Sequence, residues 1–252
     1  MAQASKSIRS KLRHTWNMVG SDDHPCFGTG TVLDLVHEQL VRTPWSTAMF
    51  FCGRPLSIAC CWAAAQSAAT ALVSIGGLCS GSHVAVFIEE GTCLITVELA
   101  IWLVAGVVVP MDVGWPRSRL DFLTSDARIS AGVCNTYQKI ALGGFCVPLL
   151  CLEDLVIPCN SILPSAPSPS ALCHLIYTSG STGHPKAVAC SHAALRAYLI
   201  EKPRAHGIQP NARVILVSAH TWDPSLGDAF SSLAMGATLM LAPRGMIVEE
   251  LS

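Results

Sequence analysis

Between residues 83 and 134 the chain alternates short, uncharged, β-branched runs with longer stretches. HVAVFI is followed by TCLITVELAIWLVAG, then VVVP, PRSRLDFLTSD and ISAGVC. Each short run is apolar at successive positions, which suits a strand buried on both faces. Each longer stretch has the length of a helix. Strand, helix, strand in this order fits a mostly parallel α/β sheet with helices on its two faces. The same grammar continues later. ALCHLIYT and KAVACS read as strands, HAALRAYLIEK as a helix, RVILVS as a strand, SLGDAFSSLAM as a helix and ATLMLAP as a strand. IVEELS at the end reads as an incipient helix.

The region before residue 83 starts differently. Residues 1–30 read as a linker, with Ile8, Leu12, Trp16 and Val19 at helical spacing among four basic residues. From 31 onward the chain reads as one domain. Thr31 is placed to cap a helix running to about Arg42. TAMFFCGRPLSI reads as a hairpin turning at Gly53-Arg54. An Ala-rich helix follows to about Ile75 and stops at Gly76-Gly77. Gly106 reads as the residue that closes the TCLITVELAIWLVAG helix. Residues 161–170, SILPSAPSPS, have no core-forming capacity and read as a loop inside the domain.

Composition excludes several classes. The net charge of −1 gives no electrostatic footprint for nucleic acid or for an anionic membrane. Residues 55–88 carry no Asp, Glu, Lys or Arg, but Gln66, five serines and three glycines make them a buried core segment and not a membrane span. Residues 92–110 hold Glu98 near their middle, a costly residue in lipid. No apolar leader is visible at the N-terminus, so a cytoplasmic location is expected. Twelve cysteines are present without CxxC or zinc spacing. They read as reduced, buried, small hydrophobic residues.

The chemistry concentrates in one loop. After the strand that ends at Tyr177, the chain runs Thr178-Ser179-Gly180-Ser181-Thr182-Gly183-His184-Pro185-Lys186. Gly180 and Gly183 let backbone N–H groups approach a ligand with no Cβ in the way. Hydroxyls line the same stretch, and Lys186 adds a mobile positive charge. Such a nest suits an anion, a polyphosphate above all. An ordinary Ser/Gly surface loop uses the same residue types, and on these residues alone the two readings stand level. The spacing is not that of a P-loop, because Ala187 follows Lys186 where Ser or Thr is needed, and Pro185 interrupts the helix start.

The longer pattern YTSGSTGHPKAV resembles the signature loop of adenylate-forming enzymes, the superfamily of acyl-CoA synthetases, luciferases and the adenylation domains of nonribosomal peptide synthetases. Other segments agree in order. TVLDLVHEQLVRTP and FCGRPLS resemble the opening helix and hairpin of peptide-synthetase adenylation domains. WLVAGVVVPMDVGWPRSRLDFL is similar to their KAGxxxVPxDxxxPxxR segment at Ala105, Gly106, Val109, Pro110, Asp112, Pro116 and Arg119. HTWDPSLGDAFSSLAMGATLML resembles their FDxSxxDxFxxLxxGAxL segment in its fungal form, and Trp16-Asn17 the linker before such domains. The resemblance covers about residue 14 to the end. One departure lies in the loop itself, where the family usually has Gly and this chain has Ala187.

The resemblance implies a layered α/β/α domain in which two sheets enclose helices. It implies ATP and Mg²⁺, and activation of an amino acid carboxylate to an aminoacyl-adenylate with release of pyrophosphate. It assigns Thr178, Ser179, Gly180, Ser181, Thr182, Gly183 and Lys186 to the triphosphate. Lys186 would be the catalytic group that offsets charge on the leaving pyrophosphate, and Thr178 the Mg²⁺ ligand. Asp223 would pair with the substrate ammonium, a task that suits a buried carboxylate. As a helix-start Asp before Pro224 it would instead answer the helix dipole. Asp223 also argues against an acid–thiol ligase, the alternative ligase class. His184 falls where the family tolerates many residues, and His220 reads as a structural histidine. A carrier-protein domain is the implied macromolecular partner.

The family's magnesium-binding Glu motif, its ribose-binding Thr-Gly-Asp and its C-terminal catalytic lysine do not appear. The chain is therefore expected to correspond to about the first half of an adenylation domain. A non-catalytic nucleotide-binding remnant stays open beside the two ligase readings.

Overall fold

The computed structural model describes residues 30–89, 91–156, 165–179 and 185–243. The linker expected at 1–30, apart from Gly30, lies outside them, as do residues 161–164 of the expected loop and the terminal IVEELS. Residues 165–168 lie outside helix and strand and 169–170 form a turn, as expected of the loop.

Helix α1 spans Val32–Arg42. Thr31 Oγ1 accepts the Asp34 N–H at 3.3 Å, and the Asp34 carboxylate accepts the Thr31 N–H. This reciprocal box satisfies two otherwise orphaned donors. Strands β1, Thr47–Phe51, and β2, Arg54–Ser57, form the hairpin. Its turn sits at Cys52-Gly53, one residue earlier than the sequence suggests. Both residues take positive φ, +47° and +79°, as a two-residue turn matched to strand twist requires. Helix α2, Ile58–Ser74, starts on Ser57, whose Oγ accepts the Cys60 N–H at 3.2 Å.

The central strands follow as expected: β3 at His83–Val86, β4 at Val107–Pro110 and β5 at Ile129–Cys134. Helices α3, Thr92–Leu103, and α4, Arg117–Asp126, alternate with them. The residue that closes α3 in the left-handed region is Ala105, at φ +54°, and not Gly106. Gly106 serves close packing instead, since a Cβ there would lie 3.1 Å from the Ile101 carbonyl oxygen and 3.2 Å from that of Ser82.

Two short elements were not anticipated. Helix α5, Thr136–Ala141, starts on an Asn135–Gln138 box, and β6 spans Leu149–Cys151. Then come β7 at Leu172–Thr178, β8 at Lys186–Ser191, α6 at His192–His206, β9 at Arg213–Ile215, α7 at Asp223–Met235 and β10 at Thr238–Leu241.

These strands form two sheets. The larger has the order β6-β5-β3-β4-β7-β8 and is parallel except for the β7/β8 pair. The smaller has the order β2-β1-β10-β9, parallel except for the β1/β2 hairpin. Helices α2 and α3 pack along each other. Both touch β1 of the smaller sheet, and α3 also meets β3 and β4 of the larger. The layered arrangement of helices between two sheets is thus as expected.

Pleating explains the absence of polar alternation. Val84 and Val86 of β3 point into the main core around α2 and α3, while Ala85 and Phe87 join a second core with Leu120 and Leu123 of α4. Both faces are covered, so both must be apolar.

One irregularity matters. Leu172 faces Ser191, yet His174 faces Cys190, so Cys173 and His174 together oppose one residue. This bulge puts two successive side chains on the helix side of the sheet. Cys173 joins the main core, and the His174 ring meets Trp102 edge-on, at 5.2 Å between centroids.

Candidate functional site

Strand β7 carries the loop residues to the carboxyl edge of the larger sheet. Its last residue, Thr178, is exposed and lies opposite Lys186, the first residue of β8. The Thr178 hydroxyl donates to the Lys186 carbonyl oxygen at 3.5 Å, the outer limit of such a bond. The loop is therefore a strand-to-strand hairpin. A P-loop passes from strand to helix, so the structure agrees with its exclusion. Thr178, Ser179 and Lys186 are exposed at its mouth. Gly180, Ser181, Thr182, Gly183 and His184 lie outside the described residues.

Neighbouring groups reach the same edge. Strands β4 and β7 are parallel, with Val108 beside His174. Four residues on, Asp112 and Thr178 leave the sheet at a common level. Asp112 folds back, its carboxylate accepting the Gly114 N–H at 2.7 Å. Just before it, the Met111 carbonyl oxygen lies 3.1 Å from His220 Nε2. His220 is 2 % exposed. It ties the loop ahead of α7 to the end of β4, which is the structural role the sequence suggests. Three residues later Asp223 opens α7, and so the start of that helix belongs to the same edge of the sheet.

The Asp223 carboxylate is exposed, whereas an ammonium-binding role calls for a buried one. None of the described residues covers it, and Trp222 beside it is also exposed. Pro224 and the first-turn acid are the usual furniture of a helix start.

Thr178 is the one expected metal ligand that can be inspected. Its hydroxyl is a hard oxygen donor of the kind Mg²⁺ takes, alongside waters and phosphate oxygens. Among the described residues no group of three His, Cys, Asp or Glu side chains is placed to hold an ion. The Thr178 hydroxyl fits the part of one protein ligand to such an ion.

Two features beneath the loop escaped the sequence reading. Tyr177, one residue before Thr178, donates its hydroxyl to Asp126 Oδ2 at 2.6 Å. Burial and the Asp126 carboxylate both push this phenol upward, so it stays protonated and holds the end of β7 to α4. Further in, Glu98 of α3 lies 3.6 Å from His174 Nε2, with side-chain exposures of 3 % and 0 %. Trp102 donates to the Cys173 carbonyl oxygen at 2.9 Å and its ring meets both His174 and His192. Burial, then the neighbouring His174, lowers His192 to about 4. No spacing in the sequence brings residues 98, 174 and 192 together.

Cysteines also depart from expectation. Among the described residues, Cys52, Cys60, Cys79, Cys93 and Cys146 are exposed, and Cys61, Cys134, Cys151 and Cys173 are buried. Cys93, read as buried from its apolar neighbours, sits in the first turn of α3 with its side chain outward. Among the described residues no helix is long and apolar enough to cross a membrane.

A family model of AMP-binding enzymes matches residues 36–249. The nonribosomal peptide synthetase vlms of Lecanicillium sp. is 29 % identical over 239 residues, covering 88 % of this chain and 3 % of that protein. Nonribosomal peptide synthetase 7 of Gibberella zeae is 33 % identical over 165 residues, covering 61 % of this chain and 4 % of that protein. The chain thus spans a few per cent of the length of these relatives. Among solved structures, the AMPPNP-bound form of the peptide synthetase FmoA3 aligns with TM-score 0.78 and 24 % identity, over 92 % of this chain and 24 % of that one. The N-terminal subdomain of Klebsiella oxytoca NpsA, in complex with 3-hydroxybenzoyl-AMSN, aligns with TM-score 0.77 and 22 % identity, over 88 % and 55 %. A two-sheet domain with Thr178 and Lys186 paired and exposed at its edge, matched over most of its length, belongs to the AMP-binding enzyme family and has the fold of the N-terminal part of a peptide-synthetase adenylation domain.

Proposed function

We propose that the chain binds the triphosphate of ATP at the β7–β8 hairpin and serves the activation of an amino acid carboxylate. In that reaction a carboxylate oxygen attacks the α-phosphorus, the bond to pyrophosphate breaks, and an acyl-adenylate remains. The observation that carries the proposal is the Thr178–Lys186 rung at the mouth of the hairpin, in a chain of the AMP-binding family.

In this reading the hydroxyls of Thr178, Ser179, Ser181 and Thr182 and the backbone at Gly180 and Gly183 donate to phosphate oxygens. Lys186 offsets the charge that builds on pyrophosphate. That is catalysis by positioning and electrostatics. Thr178 would hold a magnesium ion through its hydroxyl, and that ion would supply further positive charge to offset the triphosphate. Asp223 pairs with the substrate ammonium, which requires that its exposed carboxylate be covered in the working protein. The structures of VinN with L-aspartate and of FmoA3 with AMPPNP support an amino acid and a nucleotide as the ligand classes. A carrier-protein domain would receive the product.

Calorimetry with ATP and Mg²⁺ tests the clamp. A charge-assisted bond to phosphate is worth ~1.5–3 kcal/mol, so Lys186→Ala is expected to weaken ATP binding about tenfold or more. Unchanged affinity removes Lys186 from the site.

A further inference from the structure

We propose that Cys173 and Cys190 are a thiol–disulfide pair, oxidised by hydroperoxides and reopened by thiols. The β7–β8 bulge is what brings them together. Cys173 is its extra residue, and both Cys173 and His174 oppose Cys190. Cys173 belongs to the main core, and Cys190 packs against that same core. The two side chains therefore leave the sheet on one face. The Cys173 thiol reaches the Cys190 carbonyl oxygen at 3.3 Å. Opposed residues of an antiparallel pair have Cα atoms about 4.5–5.5 Å apart, inside the range of about 4.4–6.8 Å that a disulfide spans.

Access distinguishes this pair from the others. Cys134 and Cys151 are also register partners, on β5 and β6, but both are buried. Cys60 and Cys61 are adjacent on one helix and diverge. Cys190 is partly exposed and lies on β8, the edge of the larger sheet. The roles divide accordingly. The Cys173 thiol beside it favours the Cys190 thiolate and lowers its pKa, whereas burial raises Cys173. Cys190 is thus the attacking sulfur and Cys173 the resolving one.

The steps balance. The Cys190 thiolate attacks one peroxide oxygen, the O–O bond breaks, and Cys190 sulfenic acid and hydroxide result. The Cys173 thiol sulfur then attacks Cys190 Sγ. An S–S bond forms, the S–O bond breaks, and the Cys173 proton leaves with the hydroxyl as water. The link would pin β8 to β7 at the end of the hairpin away from the Thr178–Lys186 rung.

The test uses the full chain with hydrogen peroxide, followed by alkylation, digestion without reductant and peptide mass mapping. The expected result is a linked pair of peptides carrying Cys173 and Cys190, absent after dithiothreitol. Alkylation of Cys190 should fall about tenfold against the reduced protein. In Cys173→Ala, Cys190 should stay as a sulfenic acid and take up dimedone. Recovery of Cys190 from the oxidised wild-type chain as a free, fully alkylated thiol overturns the proposal, as does its linkage to another cysteine. The wild-type map decides the matter even where the variant fails to fold.

Discussion

His192 makes stability depend on pH in a way that can be worked out in advance. The residue is 0 % exposed at the start of α6, with the Trp102 ring 5.8 Å away. Neither ring nitrogen has a hydrogen-bond partner among the described residues. Burial first and His174 second lower its pKa from 6.5 to about 4, against a smaller opposing pull from Asp34. The folded state therefore binds fewer protons than the unfolded chain between those two values. Stability is fully present above pH 6.5 and falls as the pH drops toward 4. The full effect is about 3 kcal/mol, from 1.36 kcal/mol per pKa unit. At pH 5 about 2 kcal/mol of it is already lost. The assay is urea unfolding at pH 7.5 and pH 5.0 for the wild type and for His192→Phe, which keeps a ring without a titrating group. Other groups titrate alike in both proteins, so the difference between them is the quantity read. The wild type should lose about 2 kcal/mol more than the variant, or about 4–8 °C in Tm for a chain of this size. Equal losses would refute a buried, neutral His192.

The Glu98–His174 pair should be dispensable for stability. At 3.6 Å it is too long for a hydrogen bond, and both groups are out of water. Replacing both, as Glu98→Met with His174→Phe, should leave stability unchanged or raise it by about 1–4 kcal/mol, whereas His174→Phe alone should cost about 3–5 kcal/mol by stranding the carboxylate. Urea midpoints for the double-mutant cycle check this, and a double variant clearly weaker than wild type would show that the pair stabilises. Gly227 of α7 has no room for a side chain, since a Cβ would sit 2.6 Å from Tyr198 Oη and 2.7 Å from Lys202 Nζ. Lys202 is held by Asp228 at 2.5 Å with only 8 % of its side chain exposed, so it yields poorly. Gly227→Ala should lower stability by about 1–3 kcal/mol in thermal melts, despite a helix-propensity gain of about 1 kcal/mol.

Much of the fold was legible because local and tertiary signals agree. Thr31 and the proline that opens PRSRLDFLTSD mark helix starts that the structure keeps. Runs such as HVAV and VVVP are apolar at every position because both sheet faces are covered. The elements overlooked, α5 and β6, are six and three residues long. Too few apolar positions fall in them to show a period. Asn135 and Gln138 did carry a readable start signal, a box with Asn and Gln in the places of Ser and Glu. The hairpin turn moved by one residue because Cys52 takes a positive φ that its residue type does not advertise.

The candidate site divides along the same physical line. The proposed phosphate loop stood out by its glycines, hydroxyls and lysine, residue types that an ordinary surface loop also uses, and by its resemblance to a family signature. What supports the loop was not legible, because it depends on register. Tyr177 reaches Asp126 across 51 positions of sequence, and His220 reaches Met111 across 109. The bulge at Cys173–His174 is the sharper case. Strict alternation would send these neighbours to opposite faces of the sheet. Their actual placement on one face creates the contact of His174 with Glu98 and Trp102, and it also sets Cys173 against Cys190. One extra residue in a strand pair thus determines both the buried polar cluster and the thiol pair. A deletion that removed the bulge would be expected to abolish the two together.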